Sequence, residues 1–188
     1  MESPTDLMET VRRLEARVQA LESLYGLVDL LALPGLLAGG AGRIFDSVQT
    51  AETIAAQAPG FYGREAAGRG LSIRWTRFPD PGRLDIAVLA SIPFRVELRV
   101  LHMPHVSTED DVVLITSEGE RITFDTVNHL DNGVIEFGCL ITRPNTGLLS
   151  LLASSRQPLE GSGGDARQLG LPFVHLRSRP NLAFFATE

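Results

Sequence analysis

From residue 71 onward, the apolar side chains of this chain recur at every second position. They do so in short segments separated by turn residues, with little helical periodicity between them. Successive side chains of a strand point to opposite faces, so this alternation predicts strands with one buried face. Such strands favour an antiparallel β-sandwich, jelly-roll or Ig-like, over a fold of alternating strands and helices. The alternating residues are Leu71, Ile73, Trp75, Leu84, Ile86, Val88, Phe94, Val96, Leu98, Val100, Val113, Ile115, Ile122, Phe124, Ile135, Phe137, Cys139 and Ile141.

Less regular segments complete this region. Ser117–Glu120 predicts the turn of a hairpin, and Phe173–Arg177 with Leu182–Ala186 predicts a last strand pair. Leu148–Ser154 is apolar and fits either one helical turn or another strand. Gln157–Asp165 is rich in Gly and Ser, so we expect a mobile loop.

The first 33 residues show a different, helical periodicity. Ser3 can cap a helix, and Pro4 suits its first position. The apolar residues that follow are spaced alternately by four and three, which is the heptad pattern of a coiled coil. Valine at the a positions with leucine at d favours a dimer, whereas Tyr25 at an a position leaves a trimer open. The heptad residues are Leu7, Val11, Leu14, Val18, Leu21, Tyr25 and Val28.

The pattern favours a homo-oligomer through residues 7–28 over the alternative, an amphipathic helix packed on its own domain. Pro34-Gly35 ends this helix. Residues 34–60 are then expected to form a linker and a second helix over Ile44–Ala58, whose apolar residues lie at helical spacing. The predicted organisation is a coiled-coil helix in 1–33, this linker, and a β-sandwich domain in 61–188.

Charge and hydropathy exclude some classes of partner. The net charge is −6, and the 17 basic residues are all arginine without a dense run. A nucleic-acid-binding protein would normally carry a basic stripe, so no nucleic-acid partner is expected. Residues 1–6 are acidic and Leu27–Leu37 is too short to span a bilayer, so we expect cytoplasmic synthesis without a signal peptide or membrane span. Association with a particle, or export by a dedicated machine, would leave no trace of this kind.

No motif in the sequence indicates a catalytic site, a metal site or a cofactor site. Cys139 lies in an apolar run and is expected to be a buried small hydrophobe. His102 and His105 flank Met103-Pro104, and an extended segment would point residues three apart to opposite faces. We therefore expect structural or surface histidines and a protein that is not an enzyme.

A candidate ligand-binding set lies where the predicted linker meets the sandwich. Sugar-binding proteins often combine aromatic faces with planar polar groups that contact hydroxyls. Tyr62 and Arg74 are the candidates for exposure here, and Trp75 is in phase with Ile73 and is expected in the core. The alternative is that the aromatic pair plugs the base of the sandwich. The predicted ligand-binding residues are Phe61, Tyr62, Arg64 and Arg74.

Two motifs resemble a known group of domains. Gly60-Phe61-Tyr62-Gly63-Arg64-Glu65 with Arg74-Trp75-Thr76 resembles the opening of β-sandwich accessory domains of bacterial glycosyltransferases and surface-polysaccharide proteins. Asp165-Ala166-Arg167-Gln168-Leu169-Gly170 resembles their closing motif. The resemblance spans Gly60 to Arg177 and implies glycan recognition or positioning. No glycosyltransferase sequence accompanies it here, and a predicted coiled coil stands in its place.

Two functions fit these features. The first is a non-catalytic, lectin-like carbohydrate-binding module that the coiled coil makes multivalent, since joining weak sites raises avidity. The second is a structural spike, fibre or adaptor subunit of a phage-like particle or secretion device, attached to surface polysaccharide. An enzyme, the third possibility, would need a cleft where acidic or histidine side chains converge.

Overall fold

The computed structural model describes residues 46–68, 70–88, 92–160 and 167–181. Within them, strands form two antiparallel sheets, and short 3₁₀ turns occur at Glu109–Asp111 and Asp131–Gly133. The strands are β1 (Ser47–Thr50), β2 (Phe61–Ala66), β3 (Ser72–Arg77), β4 (Gly82–Val88), β5 (Phe94–Leu101), β6 (Val112–Thr116), β7 (Arg121–Ile122), β8 (Thr126–Leu130), β9 (Val134–Ile141), β10 (Gly147–Ser155), β11 (Leu159–Glu160) and β12 (Gln168–Pro180).

The two sheets differ in size. The larger sheet has the order β2-β3-β12-β5-β9-β8, and β1 and β11 also pair with β12. The smaller sheet has the order β4-β10-β6-β7. Strand β12 is 13 residues long and pairs with four strands, so it organises the larger sheet.

One apolar core lies between the sheets. On β5, Phe94, Val96, Leu98 and Val100 are fully buried, and the alternate residues are half-buried. β9 and β12 add side chains from the same sheet, and β4 and β10 add them from the smaller sheet. The predicted mainly β, antiparallel architecture is confirmed, and two sheets around a shared core are the layers of a β-sandwich.

Strand β6 departs from the predicted alternation. Val112, Leu114 and Thr116 are buried, whereas Val113 and Ile115 are half-buried on the other side. The prediction that Val113 and Ile115 point into the core is wrong. Every residue from 112 to 115 is apolar, so the periodicity cannot fix which of them face inward. The hairpin that follows is confirmed, with the N–H of Thr116 donating to the carbonyl of Glu120 at 2.8 Å.

The predicted second helix over Ile44–Ala58 is wrong wherever its residues are described. Ser47–Thr50 is a strand that pairs with β12, and turns continue from there to the start of β2. The Thr50 hydroxyl accepts the N–H groups of Glu52 and Thr53, which closes the first of these turns. Backbone pairing with β12 thus overrides the weakly apolar helical spacing of this segment.

The remaining segments have mixed outcomes. The predicted coiled coil in 1–33 and the strand Leu182–Ala186 lie outside the described residues and stay predictions. Leu148–Ser154 forms part of β10, so its strand alternative is correct. Leu159–Glu160 pairs with β12, so the loop predicted over Gln157–Asp165 is wrong at this point. Nothing in the described part of the chain forms a helix with the length and hydrophobicity that a membrane crossing needs.

Candidate binding face on the larger sheet

The structure places Phe61, one of the predicted ligand contacts, inside the core. Its side chain is fully buried and meets Phe173 edge-on, with ring centroids 5.6 Å apart. Gly82 leaves room for the Phe61 ring, because a Cβ at that position would collide with it. Phe61 is therefore the plug that the alternative interpretation describes.

Arg74 is also buried, with 5% of its surface exposed, so the expectation that it is exposed is wrong. Its Nε–H donates to the carbonyl of Ala51 at 2.9 Å, and Nη2 donates to that of Ile54 at 3.0 Å. Nη1 donates to the carbonyl of Tyr62 at 3.1 Å. Arg74 therefore fastens the turn segment after β1 onto β2 and β3, and it is not available to a ligand.

Tyr62 and Arg64 remain accessible on β2. Tyr62 is half-buried, and the guanidinium carbons of Arg77 and Arg167 lie 5.4 Å and 5.1 Å from its ring centroid. Arg167 also forms an ion pair with Glu65 at 2.5 Å. Arg64 is exposed. The structure thus separates the four predicted contacts into two buried residues and two accessible ones.

Trp75 is buried as predicted, but it does not join the main core. It packs with Ile73 and Leu169 in a second, smaller cluster. The His105 ring stacks on Trp75 with centroids 6.3 Å apart, and its Nε2–H donates to the carbonyl of Gly170 at 3.1 Å. This cluster lies on the opposite side of β3 from Arg74.

His102 and His105, which flank Met103-Pro104, lie apart from each other. His105 lies against Trp75, whereas the exposed His102 lies near His129, with ring centroids 6.4 Å apart. Asp111 is occupied by four hydrogen bonds from the backbone and hydroxyls of Ser107 and Thr108. Among the described residues, no three His, Cys, Asp or Glu side chains converge as metal ligands.

Cys139 is fully buried in the main core. Burial, with a smaller contribution from the charge of Asp125, raises the pKa of its thiol to about 12. The thiol therefore stays protonated at neutral pH, which confirms the predicted role as a small hydrophobe.

The outward side of the larger sheet carries an array of charged side chains that we call the polar face. Four arginines and four carboxylates pair one to one across it. The pairs are Arg95–Asp125 at 2.5 Å, Arg99–Glu136 at 2.7 Å, Arg177–Asp46 at 2.5 Å and Arg179–Glu97 at 2.8 Å. Asn128 and His175 complete the polar face. These side chains come from β12, β5, β9 and β8, and from residues directly before β1 and β8.

A glycine lets one of these arginines lie flat. Gly138 on β9 is opposite Glu97 on β5 and Thr126 on β8. A Cβ on Gly138 would collide with the guanidinium of Arg95 and the hydroxyl of Thr126. Arg95 therefore crosses β9 over Gly138, and it donates to both Thr126 and Asp125 on the far side.

One row of the polar face runs across four strands. The register places Asn128, Glu136, Arg99 and His175 side by side on β8, β9, β5 and β12. Glu136 accepts from Arg99 Nε at 2.7 Å and from Asn128 Nδ2 at 3.3 Å. Burial raises the pKa of Glu136, but these hydrogen bonds outweigh it and hold the pKa below its usual value. Glu136 therefore stays ionised and is an acceptor at the centre of the row.

His175 closes this row with an unused polar atom. Burial, followed by the charges of Arg99 and Arg177, lowers its pKa below the ordinary value for histidine. The ring is therefore neutral at pH 7. Its Nε2 is buried without a hydrogen-bond partner in the part of the chain that the structure describes. A buried polar atom of this kind normally has a partner, so Nε2 is an unsatisfied group beneath the surface of the row.

Apolar side chains lie beside the charged pairs. Val48, Leu130 and Leu140 are exposed, at 47%, 37% and 48% of their surface. Leu140 is opposite Arg95 on the neighbouring strand, and Val48 is opposite Arg177. The polar face therefore offers hydrogen-bonding groups and small patches of apolar surface next to one another.

A cleft offers a concave surface at the sheet edge. It has a volume of about 510 Å³ and lies between β4 and the turn segment after β1. Gln49, Thr53, Gln57, Arg83 and Asp85 line it with polar groups. The Asp85 carboxylate accepts from Ser150 at 2.5 Å and from Arg83 at 3.0 Å, so the charges of the cleft are mutually satisfied.

Sequence reasoning missed the polar face, although a signal for it exists. The alternation Arg95, Glu97, Arg99 on one strand, with Arg177 and Arg179 near the chain's end, marks the outward positions of two strands. Only the register shows that β12 lies beside β5 and that each arginine meets a carboxylate. The sequence therefore shows the charged side chains but does not show which arginine pairs with which carboxylate.

No family model matches the chain. No curated protein matches its sequence. Among solved structures, the chain is similar to the native structure of a family 35 carbohydrate binding module from Clostridium thermocellum, with 14% sequence identity and a TM-score of 0.44 over 71% of this chain and 96% of that chain.

Proposed function

We propose that this protein is a non-catalytic glycan-binding module and that the polar face is its binding surface. The observation that carries the proposal is the row Asn128, Glu136, Arg99 and His175, where planar donors and acceptors stand side by side on a rigid sheet. A sugar hydroxyl both donates and accepts, so it needs both kinds of group within reach. Fixed planar groups meet this need at a low cost in side-chain entropy.

The ion pairs leave part of each side chain available. Arg99 uses its Nε–H on Glu136, and a guanidinium has five N–H donors. The side chains of Arg99 and Arg179 are 38% and 48% exposed. Pairing thus holds each guanidinium in a fixed orientation while leaving donors for a ligand. The exposed Leu140 and Val48 provide apolar contact for the C–H faces of sugar rings.

Tyr62 extends this proposal to the β2 edge of the same sheet. It is half-buried, with the guanidinium groups of Arg77 and Arg167 close to its ring, so it can contact a long ligand. Arg64 is opposite Arg74, whose side chain faces the other side of the sheet, so Arg64 is not part of this surface. The predicted coiled coil completes the proposal, because two or three linked faces would raise avidity by about 10² to 10⁴ without new contacts.

The test uses one exposed amide and a matched control. Asn128→Ala removes a donor and an acceptor from the row, whereas Asn145→Ala removes the same amide from an exposed turn before β10. We expect Asn128→Ala to lower glycan affinity by about twofold to tenfold, since a hydrogen bond is worth about 0.5–1.5 kcal/mol. The measurement is binding of the full chain to a glycan array, followed by calorimetry on the positive glycans.

Equal binding by the Asn128→Ala and Asn145→Ala proteins would contradict the assignment of this face. An array on which the intact chain binds no glycan would contradict the function itself.

A further inference from the structure

We infer that the ligand of the polar face is an uncharged polysaccharide, an inference that rests on the proposed function. The basis is the charge count of the face. Among the described residues its strands present four arginines, and each has its own carboxylate partner within 2.8 Å. The sum of these charges is zero.

This balance is local, because the chain as a whole is acidic, with a net charge of −6. A site for an acidic saccharide needs a cation that no neighbouring carboxylate already neutralises. On the polar face, a sugar carboxylate would approach Arg99 only beside Glu136, or Arg179 only beside Glu97. The repulsion from those carboxylates offsets the attraction of the guanidinium groups.

His175, the neutral group of the row, also favours an uncharged ligand. His175 lies beside Arg99 and next but one to Arg177 along β12, and Glu97 and Glu136 also face it. The ring carries no charge at neutral pH, so His175 adds no cation to the polar face that could attract an acidic saccharide.

The dimensions of the polar face favour a chain over a single sugar. It spans β8, β9, β5, β12 and β1, which is four spacings of ~4.8 Å, or about 19 Å. Exposed apolar side chains lie on both sides of it, with Leu130 on β8 and Val48 on β1. A polymer lying across the strands would contact the whole width.

The first experiment compares uncharged polysaccharides with acidic ones. The full chain is titrated with unsubstituted xylan, mannan and dextran, which are uncharged, and with alginate, polygalacturonate and hyaluronan, which carry carboxylates. We expect binding to at least one uncharged polymer and at least tenfold weaker binding to all the acidic ones. The affinity should change less than about twofold between 0.1 and 1 M NaCl, where the Debye length falls from about 10 Å to about 3 Å.

The outcomes separate the two claims. Binding only to acidic polymers, with an affinity that falls as salt is added, would overturn this inference and leave glycan binding in place. Binding to none of the polymers, combined with a glycan array on which nothing binds, would overturn both.

A second experiment tests the role of charge balance directly. Glu97→Gln keeps the side-chain shape but leaves Arg179 without its carboxylate. We expect this variant to gain binding to polygalacturonate by at least fivefold at low salt. Glu118→Gln is the matched control, because Glu118 pairs with Arg143 away from the polar face and is 74% exposed. If both variants behave as the unmodified chain does with polygalacturonate, charge balance does not select the ligand, and the inference fails.

Discussion

Gly138 shows how one absent side chain shapes the polar face. Its backbone is ordinary extended strand, so a larger residue is not excluded by backbone conformation. What excludes one is the guanidinium of Arg95, which lies in the space that a Cβ would occupy. The importance of Gly138 therefore concerns the arrangement of the surface rather than the stability of the strand.

We expect Gly138→Ala to fold normally and to bind glycan more weakly. The added Cβ displaces the guanidinium of Arg95 from Thr126 and Asp125, whereas alanine suits a strand at least as well as glycine. Thermal melting should shift by only a few degrees, and calorimetric affinity should fall several-fold. The control is Gly63→Ala, because a Cβ on Gly63 meets no other atom. A Gly138→Ala protein that binds as tightly as the control would show that the position of Arg95 does not matter to the ligand.

At the scale of elements, the regular strands were predictable and the irregular ones were not. β5 alternates apolar and polar residues along its length, so the pattern alone fixes which face is inward. β1 has too few apolar residues for such a pattern, and its conformation is decided by pairing with β12, which lies about 130 residues away in sequence. Periodicity carries no information about a partner so distant.

The same limit explains the error at Arg74. Alternation correctly places Arg74 and Trp75 on opposite sides of β3. The sequence does not show that the turn segment after β1 covers the Arg74 side, or that Trp75 faces a separate cluster. Two of the four predicted ligand contacts were therefore assigned to the surface although both are buried.

This arrangement predicts different costs for two neighbouring arginines. Arg74→Ala leaves three carbonyls without their donor and loosens the turn segment, so we expect a loss of about 3 kcal/mol in the free energy of unfolding. Arg64→Ala, directly opposite on β2, removes an exposed side chain and should change stability by less than about 0.5 kcal/mol. Urea denaturation of both variants gives the comparison. Equal stability of the two would mean that Arg74 does not hold the segment.

At the scale of the whole molecule, the sandwich has its own core. Side chains from both sheets meet in one cluster. The assembly state is therefore expected to depend on the heptads in residues 7–28, not on the folding of the sandwich.

We expect deletion of residues 1–33 to give a folded monomer. Light scattering should report the monomer mass, and melting should remain cooperative. Leu14→Asp should have a similar effect on mass, because it places a charge in the predicted seam. The deletion should also weaken binding to an immobilised polysaccharide far more than binding to a short oligosaccharide. A truncated chain that stays fully oligomeric would contradict the heptad interpretation.

Strand β12 has a consequence for how the chain is made. Each of its four partner strands, from β1 to β11, is synthesised before it. The larger sheet therefore lacks its central member until Gln168–Pro180 has left the ribosome, and the edges of β1 and β3 that pair with β12 stay unpaired until then. Until β12 is made, the unpaired edges of such a nascent chain are open to aggregation. A ribosome that stalls just before residue 168 would release a product that cannot complete its larger sheet.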